Sequence, residues 1–111
     1  MALNININLN DYIWVELNNV GWDIIRKFYD RLYDNYHINN KEELINNSVN
    51  RHKDNTKTYI KDITTKETVT LTEYQLHEFM NIFGEHLYNG CTTPIVNNTL
   101  YLTIDGFIEK L

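Results

Sequence analysis

TYIKDITTKETVTLTEYQLHEFMNIFGEHLYNG, residues 58–90, carries the clearest structural signals in this sequence. Residues 59–63 and 68–71 are rich in β-branched and aromatic side chains, and the polar run at 64–67 separates them. Two such runs on either side of a short polar turn are typical of a β-hairpin. We therefore predict two antiparallel strands joined by a turn at residues 64–67.

A helix is predicted directly after this hairpin. The motif TEYQ at residues 72–75 has the spacing of a capping box, and Leu71 and Leu76 are placed to form a hydrophobic staple. The helix should begin near Glu73 and end at Asn89-Gly90, because glycine tolerates the left-handed conformation that often follows a helix. Helical spacing assigns five residues to its core side: Leu76, Phe79, Met80, Phe83 and Leu87.

The N-terminal third of the chain predicts another hairpin and a first long helix. Apolar and polar residues alternate over residues 3–9, and residues 12–17 also have the pattern of a strand. The odd-numbered positions of this second strand lie on one side and the even-numbered positions on the other. A helix should then run from a cap at Asn18 or Asn19 to about Asn35. Its core side is predicted to consist of Val20, Ile24, Ile25, Phe28 and Leu32.

The remaining segments complete an expected ββαββαββ order. Residues 36–57 are rich in Asn, Lys and Glu, and we interpret them as a polar insertion loop with room for a short helix from Glu42. A last hairpin is expected in residues 94–104, turning at Asn97-Asn98. Its inward side chains would be Leu100, Leu102 and Ile104. The sequence thus predicts a single α+β domain, residues 1–111, with a small antiparallel sheet built from hairpins and two main helices packed on it.

Composition excludes several classes of protein. No run approaches the roughly 18 apolar residues of a membrane span, and the N-terminus lacks the pattern of a signal peptide, so a cytoplasmic location is expected. Cys91 is the only cysteine, which excludes an internal disulfide. The net charge is −5, and all basic residues except Lys110 lie between residues 26 and 66, so a continuous basic surface for DNA or RNA is not expected. A chain of this length would gain apolar burial as a homo-oligomer.

No pattern of a catalytic or metal site stands out. Zinc needs three or four ligands, but His77 does not begin an HExxH motif, His86 lies on another helix face, and His37 and His52 lie in the expected polar loop. Cys91 follows the expected C-terminus of a helix, whose dipole disfavours a thiolate. We therefore expect a protein that is not an enzyme and holds no metal or other cofactor.

An aromatic cluster with one cation is predicted on the first helix. Trp22, Tyr29 and Tyr33 fall on one flank of its apolar side, with Arg26 beside them. Aromatic rings can stack on a planar ligand while a guanidinium contacts its phosphate or carboxylate. Trp22, Arg26 and Tyr29 are therefore candidate ligand-binding residues.

A second row of residues recurs at three- and four-residue spacing on the second helix. Its members are Tyr74, His77, Asn81, Gly84 and Tyr88. The row has three interpretations: it packs under residues 36–57, it forms a subunit or partner interface, or it lines a ligand pocket. Gly84 favours a close approach of another backbone or a ligand, because a glycine inside a helix costs about 1 kcal/mol relative to alanine. We add Tyr74, His77, Asn81 and Tyr88 to the candidate ligand-binding residues.

Parts of the sequence resemble small uncharacterised proteins encoded by tailed bacteriophages. The similar stretches are LNDYIWVEL at residues 9–17, Gly21-Trp22, YQLHEFMNIFG at 74–84 and NGC at 89–91. The resemblance covers both ends of the chain and leaves out residues 36–71, and the relatives usually have Trp where this chain has His77. Small non-catalytic phage proteins outside the virion are often antagonists of host defence. The resemblance therefore implies a location in the host bacterial cytoplasm.

Two functions agree with this resemblance. The first is a non-enzymatic oligomeric sponge that sequesters a nucleotide-derived signal: the rings of the first helix would stack a base, Arg26 would contact phosphate, and the second row would supply polar contacts or the subunit interface. The alternative is a protein-interaction module that directly inhibits a host defence protein or serves as a phage accessory or virion component. Its partner would pair with the edge of the strand at residues 3–9. The expected partners are further copies of the chain and either a nucleotide-derived small molecule or a host protein, with no DNA, RNA or membrane.

Overall fold

A computed structural model describes residues 7–35, 39–87 and 93–110 of the chain. The elements follow in the order β1 (Tyr12–Val15), α1 (Asn19–Asp34), α2 (Lys41–Asp54), β2 (Thr56–Asp62), β3 (Glu67–Gln75), α3 (Leu76–Phe83) and β4 (Ile108–Glu109), with two 3-10 turns at Gly84–His86 and Val96–Asn98. The strands form one antiparallel sheet in the order β1-β3-β2-β4. The predicted α+β class is confirmed. None of the helices in the described ranges is long and apolar enough to cross a membrane.

The two faces of the sheet are covered by different parts of the chain. The helices pack on one face around a cluster of buried residues: Ile13, Val15, Ile24, Ile25, Ile45, Val49, Tyr74, Phe79, Ile82, Phe83 and Ile95. On the other face, Tyr59, Val69 and Leu71 are buried beneath Trp14 and a C-terminal segment. The side chains of that segment are Tyr101, Ile104 and Phe107. Alternation along β1 and β3 explains this division, since neighbouring residues of a strand point to opposite faces.

The start of α1 follows local sequence signals. The Asn18 side chain accepts a hydrogen bond from the Gly21 backbone N–H at 2.9 Å, as an N-cap should, and its amide nitrogen donates to the Thr93 carbonyl at 2.8 Å. Ile24 and Ile25 are buried as predicted. Leu32 was expected in the core but is 37% exposed.

The close approach of backbone that we expected at Gly84 occurs at Gly21 instead. A Cβ atom built on Gly21 would overlap the Pro94 carbonyl oxygen and lie 3.0 Å from Leu17 Cδ2. Among the described residues, the atom nearest to a Cβ built on Gly84 is the flexible end of Met80 at 3.4 Å, which is ordinary contact. Gly21 therefore lets α1 lie directly against the chain at Pro94.

The insertion loop expected at residues 36–57 is wrong for the described part of that segment, residues 39–57. Most of the segment is α2, a 14-residue helix that contains the short helix expected from Glu42. It buries Ile45, Ser48, Val49 and His52. These positions have helical spacing, but two of the four are polar and most residues between them are polar. The composition of the segment therefore resembled that of a loop.

The motif TEYQ at residues 72–75 belongs to a strand and does not cap a helix. Residues 72–75 of β3 pair with residues 12–15 of β1, so their backbone groups are committed to the sheet. The helix begins at Leu76, and its first N–H groups are satisfied by backbone carbonyls: Leu76 donates to Asp11 at 2.9 Å and His77 donates to Leu9 at 3.0 Å. The helix ends at Phe83 and a 3-10 turn follows; the end predicted at Asn89-Gly90 lies outside the described residues.

The terminal hairpins also differ from expectation. Residues 7–10 form no strand, and residues 3–6 lie outside the described part. The hairpin expected in residues 94–104 is replaced by two isolated pairings with the β1 region, Leu17 with Ile95 and Trp14 with Tyr101. These pairings occupy the outer edge of β1 and leave Leu100 and Leu102 exposed, while Ile104 packs inward as predicted.

Candidate functional site

Arg26 of α1 forms two side-chain hydrogen bonds with α2. Its Nη1 donates to Glu42 Oε1 at 3.1 Å and its Nη2 donates to Asn46 Oδ1 at 2.8 Å, so both contacts join α1 to α2. Trp22 is half-buried and packs against the main core. The surface predicted for stacking a base and binding phosphate is therefore in part the interface between α1 and α2.

A chain of hydrogen bonds runs through the interior and includes two of the predicted residues. His52 Nδ1 lies 2.7 Å from the Tyr74 hydroxyl oxygen, and His52 Nε2 lies 2.8 Å from the Tyr29 hydroxyl oxygen. Beside this chain, the Tyr33 hydroxyl lies 2.7 Å from Ser48 Oγ. The contacts join β3, α2 and α1, and Tyr74 thus packs under α2, as the first interpretation of its row proposed.

Burial determines the protonation states of the hydrogen-bonded residues His52, Tyr74 and Tyr29. Burial, with a smaller contribution from the nearby Arg51 charge, lowers the pKa of His52 to about 4, so its imidazole is neutral at pH 7. Burial likewise raises the pKa values of Tyr74 and Tyr29, so both phenols keep their protons. A neutral imidazole donates from one nitrogen and accepts at the other, so one tyrosine donates to His52 and the other accepts from it. The arrangement satisfies a buried polar group rather than activating one.

Tyr74, at one end of these hydrogen bonds, also lines a shallow concavity with acidic residues. Its volume is about 320 Å³, and its lining comprises Tyr12, Asn55, Glu73, Tyr74, Gln75 and Glu78. Two carboxylates and no cation in the lining disfavour a phosphate-bearing ligand at this place.

The other residues of the predicted row are dispersed. His77 is exposed, and its Nε2 lies 3.0 Å from Gln75 Oε1. Asn81 is exposed on a different side of α3, where it lines a cleft against α1. Tyr88 lies outside the described residues. The row is therefore not one continuous surface over its described members.

A cleft between α1 and α3 has a volume of about 420 Å³. Phe28 and two exposed apolar side chains, Leu32 at 37% and Met80 at 45%, supply its apolar part. The polar lining consists of Arg31, Asn35, Asn81 and Glu85. Its volume falls in the range of small-molecule and side-chain pockets.

The charges of this cleft cancel. Arg31 Nη2 lies 3.5 Å from Glu85 Oε1, which is an ion pair between two exposed side chains. The remaining polar groups of the lining are the neutral amides Asn35 and Asn81, each of which offers a hydrogen-bond donor and an acceptor. The cleft thus combines three apolar side chains with a polar lining whose net charge is zero.

Sequence reasoning found Asn81 but assigned Leu32 and Met80 to the core. Both residues have the helical spacing of a core side chain, but each stands at the margin of the apolar side of its helix. In the structure α1 and α3 leave a gap at this margin. Such a gap depends on the angle between helices, which no local pattern encodes.

Within the described ranges, no group of three or more His, Cys, Asp or Glu side chains is placed to hold a metal ion. Comparison with known protein families, with curated proteins and with solved structures finds no match for this chain.

Proposed function

We propose that this protein is a non-enzymatic interaction module that captures a partner protein by binding one of its apolar side chains in the cleft between α1 and α3. The observation that carries the proposal is the pair Leu32 and Met80, two exposed apolar side chains that line one concave surface. Exposed apolar groups in a concavity with a polar rim are typical of sites that bury a partner's side chain.

The chemistry of the cleft favours a protein segment over a nucleotide. Arg31 already has a carboxylate partner, and the amides of Asn35 and Asn81 can bond the backbone N–H and C=O groups of a bound segment. The thioether of Met80 is flexible and polarisable, which suits contact with apolar groups of varied shape. A phosphate-bearing ligand would have to compete with Glu85 for the one cation of the lining.

The resemblance to phage proteins favours a host protein as the partner, and inhibition of a host defence protein as the outcome. Sequestration of a nucleotide-derived signal is the competing function. Its predicted phosphate contact, Arg26, is hydrogen-bonded to Glu42 and Asn46 of α2. Binding of phosphate by Arg26 would therefore require both hydrogen bonds to break.

The test compares two variants that place the same charge on equally exposed residues. Met80 and Leu102 are each 45% exposed, but only Met80 lines the cleft. Immobilised wild-type protein, Met80→Glu and Leu102→Glu are incubated with bacterial lysate, and the captured proteins are quantified by mass spectrometry. We expect at least one protein to be captured by the wild type and Leu102→Glu and lost with Met80→Glu. Equal capture by all three would contradict the proposal.

Native mass spectrometry of the same purified proteins with cyclic oligonucleotides and ADP-ribose derivatives addresses the competing function. A stoichiometric adduct with unchanged ligand, present in the wild type and absent in Arg26→Ala, would favour the nucleotide sponge. We expect no such adduct.

A further inference from the structure

On the face of the sheet where the helices pack, the helices cover only part of the surface. Thr72 of β3 is buried beneath them, but Thr70 and Thr68, the next residues on the same face, are exposed. Register places Thr68 opposite Ile60 of β2, and Ile60 opposite Ile108 of β4. The outer half of the sheet therefore presents a row of side chains that no described helix covers.

This uncovered region is apolar and basic. Its concave part has a volume of about 260 Å³ and is lined by Ile60, Ile63, Lys66, Thr68 and Lys110. Ile63 is 68% exposed and the adjacent Ile108 is 46% exposed. We call these six residues the outer face: Ile60, Ile63, Lys66, Thr68, Ile108 and Lys110.

The outer face differs in charge from the chain as a whole. The protein carries a net charge of −5, yet this concavity is lined by two lysines and no carboxylate. Among the described residues, neither Lys66 nor Lys110 forms an ion pair, whereas Lys57 on the same hairpin pairs with Glu109 at 3.7 Å. An exposed apolar patch of this kind, bordered by charges of one sign, marks an interaction surface.

We propose that the outer face is a second docking surface, and that its occupant is a partner protein segment whose apolar side chains are flanked by carboxylates. Carboxylates on such a segment would meet Lys66 and Lys110 while its apolar side chains cover Ile63 and Ile108. A second copy of this chain fits less well, because a two-fold contact through one patch brings the patch against itself, with lysines facing lysines.

The outer face is independent of the cleft between α1 and α3. The two surfaces share no lining residue, one lying on the helices and the other on the sheet beyond them. A protein with both surfaces can hold two partners at once. Loss of binding at one surface should leave the other intact.

The experiment measures binding of fluorescently labelled peptides to the full chain by anisotropy, with backbone amide NMR to locate the contact. The probes are an extended peptide of alternating Ile and Glu, its Gln analogue and its Lys analogue. We expect the Glu peptide to bind most tightly, to lose affinity with added salt, and to shift the amide signals of Ile60, Ile63 and Thr68. Salt sensitivity follows because exposed ion pairs are screened.

Three variants test the assignment. Lys66→Glu combined with Lys110→Glu should weaken binding of the Glu peptide by about ten-fold or more, since two ion pairs are lost and each new like-charge contact opposes binding. The control, Lys27→Glu combined with Lys53→Glu, makes the same change in net charge elsewhere and should bind as the wild type does. Ile63→Ser removes an apolar side chain that is mostly exposed, so it should weaken binding while leaving the thermal midpoint of unfolding unchanged.

Two results would overturn the proposal. One is equal loss of Glu-peptide binding in both double variants, which would indicate non-specific attraction to net charge. The other is binding to phosphatidylglycerol vesicles that depends on Lys66 and Lys110 while none of the peptides shifts the outer-face signals, which would assign the surface to anionic lipid.

Discussion

His52 Nδ1 lies 2.7 Å from the Tyr74 hydroxyl oxygen, and this buried contact joins α2 to β3, one of the two inner strands of the sheet. The second ring nitrogen of His52 meets the Tyr29 hydroxyl at 2.8 Å, which extends the connection to α1. One imidazole thus joins three elements that are distant in the sequence. Because His52 and Tyr74 are both buried, a group that loses its partner here has no access to water as a substitute.

Tyr74→Phe should lower the free energy of unfolding by about 1 to 2 kcal/mol, because it leaves one nitrogen of His52 buried without a partner. The matched control is Tyr12→Phe, which removes a hydroxyl from a ring that is 52% exposed and should change stability by less than about 0.5 kcal/mol. Urea denaturation followed by circular dichroism measures both. Equal effects of the two substitutions would argue against the hydrogen-bond chain.

Stability should fall as the pH is lowered from 6.5 towards 4 because of His52. Its pKa is about 4 in the folded protein and takes the ordinary value of 6.5 when unfolded, so the unfolded chain binds more protons in this window. The stabilisation is fully present above pH 6.5, and about 2 to 3 kcal/mol of it should be lost by pH 4.

The variant His52→Gln isolates this contribution from the titration of carboxylates. Its free energy of unfolding at pH 7 should be lower than that of the wild type, and the difference between the two should shrink as the pH falls to 4. Chemical denaturation at half-unit pH steps gives both curves. Parallel curves would show that His52 is not buried as a neutral group.

Gly21→Ala should destabilise the protein by about 1 to 3 kcal/mol, because the new methyl group would overlap the Pro94 carbonyl oxygen and force the backbone apart. Gly84→Ala is the control within the same chain. Gly84 has helical dihedral angles and space for a methyl group, so alanine there should be neutral or stabilise by up to about 1 kcal/mol. Thermal unfolding distinguishes the two, and a destabilising Gly84→Ala would restore the close approach that we expected there.

Arg26→Ala should lower the free energy of unfolding by only about 0.5 to 1 kcal/mol, since its contacts with Glu42 and Asn46 lie at the surface. Capture of a partner protein in the cleft should be unchanged, because Arg26 is not among the lining residues. Denaturation and the lysate capture assay measure these outcomes. Lys27→Ala, which removes a surface pair with Asp23 on the same helix, serves as the control.

The features that the sequence predicted correctly depend on residues that are close together along the chain. The hairpin of β2 and β3 follows from two β-branched runs around a polar turn, and the start of α1 follows from the capping side chain of Asn18. Alternation in β1 placed Ile13 and Val15 on the same side of the strand, and both are buried. Each of these signals acts over a few residues, so it is present in the sequence before any tertiary contact forms.

The candidate site was much less predictable. Asn81 was proposed from its spacing on a helix and does line the cleft, but the apolar pair opposite it was assigned to the core. Arg26 was proposed as a ligand contact because it lies beside the aromatic residues of α1. Its partners in the structure, Glu42 and Asn46, lie in a segment that we did not expect to be a long helix. Because α2 was not predicted, the contacts of Arg26 with that helix were not predicted either.

By itself, the sequence determined the α+β class, the central hairpin, the first helix and the absence of a strong catalytic motif. Tertiary structure decided where β3 ends, since residues 73–75 extend the strand beyond its pairing with β2 by pairing with β1, about 60 residues earlier in the chain. It also decided that His52 is buried and that Leu32 and Met80 are exposed. The physical reason is the same in each case: caps, turns and alternation are local properties of a chain, whereas strand partners, helix angles and buried hydrogen bonds form only when distant segments meet.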